Sequence, residues 1–140
     1  VELTHSLAQR EQGEAHYLHV WRLEHEVTMR GPRFNVSSEE ISTMKEKISE
    51  ESLVQLHNLL DQNHIPRQDD KIHSREGSSE EVIKKSIDDL DVDVLVMGSV
   101  GRSGVPGLLI GNKAEKILNT ISCTVLTVKP DGFVSPVTLS

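Results

Sequence analysis

Residues 91–120 read DVDVLVMGSVGRSGVPGLLIGNKAEKILNT, and the fold of the whole chain follows from this stretch. Val92, Val94, Leu95, Val96 and Met97 make a nearly continuous apolar run, the pattern of a parallel strand covered on both faces. The run stops at Gly98. Between Gly98 and Gly111 stand Gly101, Gly104, Pro106 and Gly107, too much punctuation for a regular element. From Ala114 the apolar residues return at helical spacing, as Ala114, Ile117, Leu118 and Ile121. A strand that passes through a glycine loop into a helix N-terminus is a device for holding anions. Glycines let backbone N–H groups approach a phosphate, and the first helical turn offers unpaired donors and a partial positive charge. Gly111 and Asn112 open that turn, and Asn112 can cap it or donate its side-chain amide. Glycine content alone fits a plain connecting loop equally well. The stretch is neither a Walker A loop, since no Gly-Lys-Ser/Thr follows, nor a GxGxxG fingerprint.

Elements alternate outward from this unit. Residues 1–10, VELTHSLAQR, fit the second half of a helix that Gly13 ends, and Ala15 to Trp21 fit a strand. Arg22 to Val36 hold Gly31-Pro32 and no steady period, so a loop is expected there. Ser37 and Glu40 form a capping box. Ile41, Met44, Ile48, Leu56, Leu59 and Leu60 continue it as the apolar stripe of a helix ending near Asn63. Lys71 to Arg75 make a weak strand whose charged flanks suit a sheet edge. Ser78 and Glu81 give a second capping box, followed by Ile83, Ser86, Ile87 and Leu90 at helical spacing. Thr124 to Val128, TVLTV, form the last strand. Strands alternating with helices imply parallel pairing and right-handed crossovers.

The 140 residues suggest one domain over 1–140, with 129–140 as a C-terminal tail. With one Trp, one Tyr and two Phe, its core must be aliphatic. A net charge of −7 leaves no basic surplus to displace counterions, which argues against nucleic acid as a partner. No run approaches the length of a transmembrane helix, and no signal-peptide pattern is visible, so no membrane association is expected. Cys123, the only cysteine, cannot form an internal disulfide, which fits a reducing cytoplasm.

Gly98, Gly101 and Gly111, separated by two and nine residues, resemble the G-x2-G-x9-G-(S/T) nucleotide loop of the universal stress protein family. The match extends to MGSVGRSG, to the helix beginning GNKAEKIL, and to the strands LHVW and VLTVKP. The ending KPDGFVSPV is most similar to the second domain of the tandem, E-type members. Asn112 stands where ATP-binding members have Ser or Thr. The resemblance implies an open, parallel, doubly wound α/β sheet of Rossmann-like type with strand order 3-2-1-4-5. The central first strand, with its usual V-D-x-S ending, is missing from this sequence. Strands lie about 4.8 Å apart, so without a middle strand its two neighbours cannot pair across the gap: either the sheet is broken, or the missing strand is borrowed from elsewhere, or it belongs to the molecule but lies outside this sequence.

The resemblance also implies a site. Ligands of such sheets sit outside the carboxyl ends of the strands, where the order reverses. Val20 matches a position lining the adenine pocket, and Met97 and Gly98 match positions near adenine and ribose. Gly101, Gly111 and Asn112 match phosphate contacts. Arg102 and Lys113 lie outside the fixed motif; each can neutralise phosphate charge, though a solvated surface charge is the ordinary reading. The family's ribose-contacting acid belongs to the missing strand. The implied ligand is ATP, or AMP or ADP, with Mg²⁺ arriving only with the nucleotide. The implied partner is a second copy or a tandem domain, paired through Thr124–Val128.

Nothing in the sequence forms a catalytic constellation, so the expectation is a regulatory domain, at most a slow ATPase. His16 and His19 fall on opposite faces of a strand, and no HExxH or Cys/His spacing marks a metal site. Cys123 reads as a buried, inert thiol, and Asp91 and Asp93 as solvated strand flanks. Ser99 and Ser103 have no evident base. The alternative is an interaction module of the same fold without nucleotide; a nucleotidyl transferase, needing an acid or base from outside this sequence, comes third.

Overall fold

In a computed structural model the described residues are 1–99, 110–129 and 131–132. The chain divides into two compact units, Val1–Ser78 and Ser79–Ser140. Each is built on one pair of parallel strands.

The first unit opens with α1, Glu2–Glu11, closed by Gln12 in the left-handed region (φ 56°). β1, Tyr17–Trp21, runs parallel to β2, Ile72–Glu76, with Tyr17 opposite Ile72 and Trp21 opposite Glu76. Between them lie a short helix α2, Glu26–Met29, and the long helix α3, Ser38–Gln62. The Ser37 capping box forms as the sequence dictates. Ser37 Oγ accepts from the Glu40 N–H, and the Glu40 carboxylate accepts from the Ser37 N–H at 2.9 Å. α3 packs on both strands. Tyr17, Leu56, Leu60, Ile65 and Ile72 form the core there, with Ala15 and Leu53 against it.

The structure corrects three local expectations. Residues 22–36 are not all loop, because α2 interrupts them. Four residues offer no apolar period, and the only sequence trace of this helix is the i, i+4 pair of Glu26 and Arg30, 2.8 Å apart. The stripe on α3 is narrower than its apolar residues suggest. Ile41, Leu56 and Leu60 are buried, while Met44 and Leu59 are exposed and Ser52 takes a buried place. Ser52 can be buried because Ser74 Oγ donates to its hydroxyl at 2.9 Å, which satisfies the polar group.

The second unit holds α4, Ser79–Leu90, β3, Val94–Gly98, α5, Asn112–Leu118, and β4, Thr124–Val128. β3 and β4 are parallel, with Val94 opposite Thr124 and Gly98 opposite Val128. α4 packs on α5, and each buries small or aliphatic residues: Ser86 and Ile87 on α4, Ala114 and Ile117 on α5. The third correction falls on β3. It is not covered on both faces: Val94 is exposed and Leu95, Val96 and Met97 are half-buried. With β4 as its one described neighbour, an apolar strand lacks part of the cover that its composition is suited to.

The chain is therefore α/β with parallel strands. Its pairs β1–β2 and β3–β4 are those that the order 3-2-1-4-5 assigns to strands 2–3 and 4–5. No described strand joins the two pairs.

Candidate functional site

The carboxyl end of β3 and the start of α5 are held together by backbone. Beyond Gly98, the Ser99 N–H donates to the Val128 carbonyl at 3.1 Å, extending the ladder by one residue. Ser99 is buried, and its hydroxyl lies 3.4 Å from the same carbonyl. The Ser99 carbonyl in turn accepts the Gly111 N–H at 2.6 Å. One residue after the strand thus touches the residue that begins the helix. Gly111 is the N-cap, in extended conformation (φ −80°, ψ 152°), and no side chain caps the helix. The Glu115 N–H takes the Gly111 carbonyl, so the first turn closes normally. Ala114 and Ile117 are buried while Asn112 and Lys113 are exposed. One face of α5 anchors it, and the other presents Asn112, Lys113 and their backbone donors.

The structure thus gathers Met97, Gly98, Gly111, Asn112 and Lys113 in the second unit. Gly98 is exposed and Met97 half-buried. Gly101 and Arg102 lie outside the described residues. Val20 belongs to the first unit, half-buried near the carboxyl end of β1 and opposite Arg75.

The carboxyl end of β1–β2 carries groups that the sequence did not single out. Lys45 Nζ lies 2.8 Å from Glu26 and 2.7 Å from Glu76, linking α2, α3 and the last residue of β2. Hydrogen bonds from Lys45 and Arg30 hold the Glu26 carboxyl below its ordinary range, and Glu26 and Glu76 hold the Lys45 ammonium above its own. Arg30 also reaches Ser38 Oγ at 3.2 Å. Beside this cluster Trp21 Nε1 donates to Ser74 Oγ at 2.9 Å, and the Gly77 N–H closes on the Trp21 carbonyl.

Elsewhere the side chains offer less chemistry. His16 Nδ1 and His73 Nε2 are 3.0 Å apart, and the two rings are nearly parallel, 19° between planes with centroids 5.3 Å apart. Burial, and then the neighbouring His16, lower the His73 pKa. No group of three or more metal-ligating side chains occurs among the described residues. Cys123 is half-buried rather than buried, because it lines an open hollow of about 490 Å³ with Asp88, Asp91 and Asp93. That hollow lies at the amino ends of β3 and β4, away from the glycine loop. No described helix is long and apolar enough to cross a membrane.

Comparison with known proteins gives a consistent result. The profile of the universal stress protein family matches residues 1–129. Universal stress protein E of Photorhabdus laumondii is 38% identical over 65 residues, covering 46% of this chain and 21% of that protein. Universal stress protein E of Escherichia coli K12 is 37% identical over 67 residues, covering 48% and 21% respectively. The chain thus aligns with about a fifth of the length of these relatives. Among solved structures, a putative universal stress protein from Pseudomonas aeruginosa UCBPP-PA14 superposes with a TM-score of 0.64 at 24% identity. That likeness covers 92% of this chain and 39% of the other, and it concerns the fold.

Proposed function

The chain belongs to the universal stress protein family, and we propose that it is a regulatory module of that family, holding ATP or a related adenine nucleotide in the Gly98–Asn112 loop. The observation that carries this reading is the sequence spacing of Gly98, Gly101 and Gly111, and the hydrogen bond from the Gly111 N–H to the Ser99 carbonyl supports it. The Asn112, Lys113 and Ala114 amides of the first turn are the donors offered to phosphate, with Gly98, Gly101 and Gly111 allowing close approach. Asn112 supplies a side-chain amide in place of a hydroxyl. Arg102 and Lys113 add charge, and Met97 supplies apolar surface for the base. Mg²⁺ enters with the nucleotide. The reading includes no catalytic residue and a cytoplasmic setting. Across residues 1–140 it treats the chain as one family domain, with 129–140 as its tail.

Isothermal titration of ATP with Mg²⁺ into the protein, beside a Gly111→Val control, tests the reading. Saturable binding that the control loses supports it. A protein that binds no ATP, with or without the substitution, refutes it.

One observation favours a second reading, an interaction module without nucleotide. Leu126 and Val128 on β4 are 38% and 40% exposed, and β3 is the one described strand that pairs with β4. An apolar strand with an open edge suits addition of a second copy or a tandem domain through Thr124–Val128. Under this reading Leu126→Glu lowers the assembly state in sedimentation velocity; an unchanged state removes that contact.

A further inference from the structure

His16, the residue before β1, and His73, the second residue of β2, meet across the strand pair, with His16 Nδ1 and His73 Nε2 3.0 Å apart. Their chain neighbours Tyr17 and Ile72 belong to the core formed with Leu56 and Leu60 of α3. Alternation along a strand therefore puts both imidazoles on the opposite face of the pair. Neither ring is closed off from solvent: the His16 side chain is 24% exposed and His73 is half-buried. The pair lies within the first unit, and the nucleotide reading makes no use of it.

Spacing, protonation and charge suit this pair to a metal ion. At a metal–nitrogen bond of about 2.0–2.1 Å, adjacent ligands lie about 2.9 Å apart around a square plane and about 3.4 Å apart around a tetrahedron. The observed 3.0 Å matches the square plane. Burial lowers the His73 pKa, so at neutral pH this ring is uncharged and keeps a lone pair. Glu14 stands 3.8 Å from His16 Nε2, the other nitrogen of that ring. A carboxylate there favours the tautomer with its proton on Nε2 and leaves Nδ1 free, the arrangement that orients metal-binding histidines. Glu14 also pairs with Lys71 at 3.1 Å, which offsets that ammonium. Of the other charges acting on His73, Arg75 and Asp70 work in opposite directions.

We propose that His16 and His73 form a site for a divalent ion that accepts right-angle ligation, Cu(II) in first place, with water at its remaining positions. Imidazole suits Cu(II), and the general order of affinities puts it above both Ni(II) and Zn(II). The rings turn about their soft terminal torsions until both lone pairs address one ion. The ion then replaces the direct contact between the rings and ties the start of β1 to β2. With two protein ligands the site is open and exchangeable, unlike the closed four-ligand sites that hold a metal for structure alone.

The probe is copper(II) chloride, titrated into the protein and read by electron paramagnetic resonance. A saturable signal with the splitting pattern of two imidazole nitrogens is expected, and an equal concentration of Zn(II) should displace little of it. His16→Asn and His73→Asn should each lose the two-nitrogen pattern. His19→Asn, which alternation places on the other face of β1, should keep it. In ¹⁵N-labelled wild-type protein, substoichiometric Cu(II) should broaden the amides of His16 and His73 first, a readout that stands even if a variant fails to fold. A one-nitrogen spectrum, a two-nitrogen spectrum that survives His73→Asn, or broadening centred on other histidines among the seven would each overturn the proposal and mark the copper as adventitious. None of these readouts depends on whether ATP binds.

Discussion

Leu59 and Leu60 are neighbours on α3, and comparing their truncations tests the register of the first unit. Leu60 is fully buried among Tyr17, Leu56, Ile65 and Ile72, while Leu59 is 42% exposed. Leu60→Ala removes a side chain from a packed core, where the transfer and cavity terms together cost about 3 kcal/mol. Leu59→Ala forfeits only part of the transfer term, about 1 kcal/mol, and leaves no enclosed cavity. Both changes gain the same small helix propensity, so the gap of about 2 kcal/mol reports burial alone. With a urea slope of about 2 kcal/mol/M, the two midpoints should differ by about 1 M, with m unchanged. Coincident midpoints, or a larger loss in Leu59→Ala, would mean that α3 is rotated on β1–β2 and that the core described above is wrong.

Two further perturbations probe charge. The lowered His73 pKa means that the unfolded chain binds more protons than the folded one as pH falls from about 6.5. His73 thus leaves stability intact above that pH and erodes it as pH falls through its folded pKa. His73→Asn should flatten this part of a plot of melting temperature against pH. It should leave the loss below about 4.5, where Glu26 and Glu40 take up protons, unchanged; an identical plot for wild type and variant would remove His73 as the cause. Lys45→Met severs the links to Glu26 and Glu76. Amide hydrogen exchange at Met29 and Arg30 should then accelerate while exchange at Leu60 does not; equal exchange in both proteins would show that α2 is held by other contacts.

Where sequence reading worked, local chemistry decided the structure. The Ser37–Glu40 box begins α3, the alternation of elements yields parallel pairs, and TVLTV is a strand at the residues expected. It failed where partners distant in sequence decide. α3 spans about 38 Å, whereas each strand beneath it spans about 17 Å, so much of the helix has no sheet to cover. That mismatch leaves Met44 exposed, and the hydroxyl of Ser74, twenty-two residues on, lets Ser52 be buried. The Lys45 cluster was hidden for the same reason, since Glu26, Lys45 and Glu76 come from three elements. Of the candidate site, the glycine spacing was legible. The Gly111–Ser99 hydrogen bond was not, because backbone pairing across a loop leaves no mark on residue identity.

The two strand pairs differ in how far along the chain their partners lie. Tyr17 and Ile72 are fifty-five residues apart, Val94 and Thr124 thirty. Joining the ends of the longer segment costs about 0.5 kcal/mol more in chain entropy. Its closure also waits for a twenty-five-residue helix to find its place on the strands, whereas α5 has seven residues. The β3–β4 pair should therefore assemble first during refolding. In pulse-labelled exchange the Leu126 amide should gain protection before that of His73; the reverse order would show that the α3 core, not loop length, governs the sequence of events.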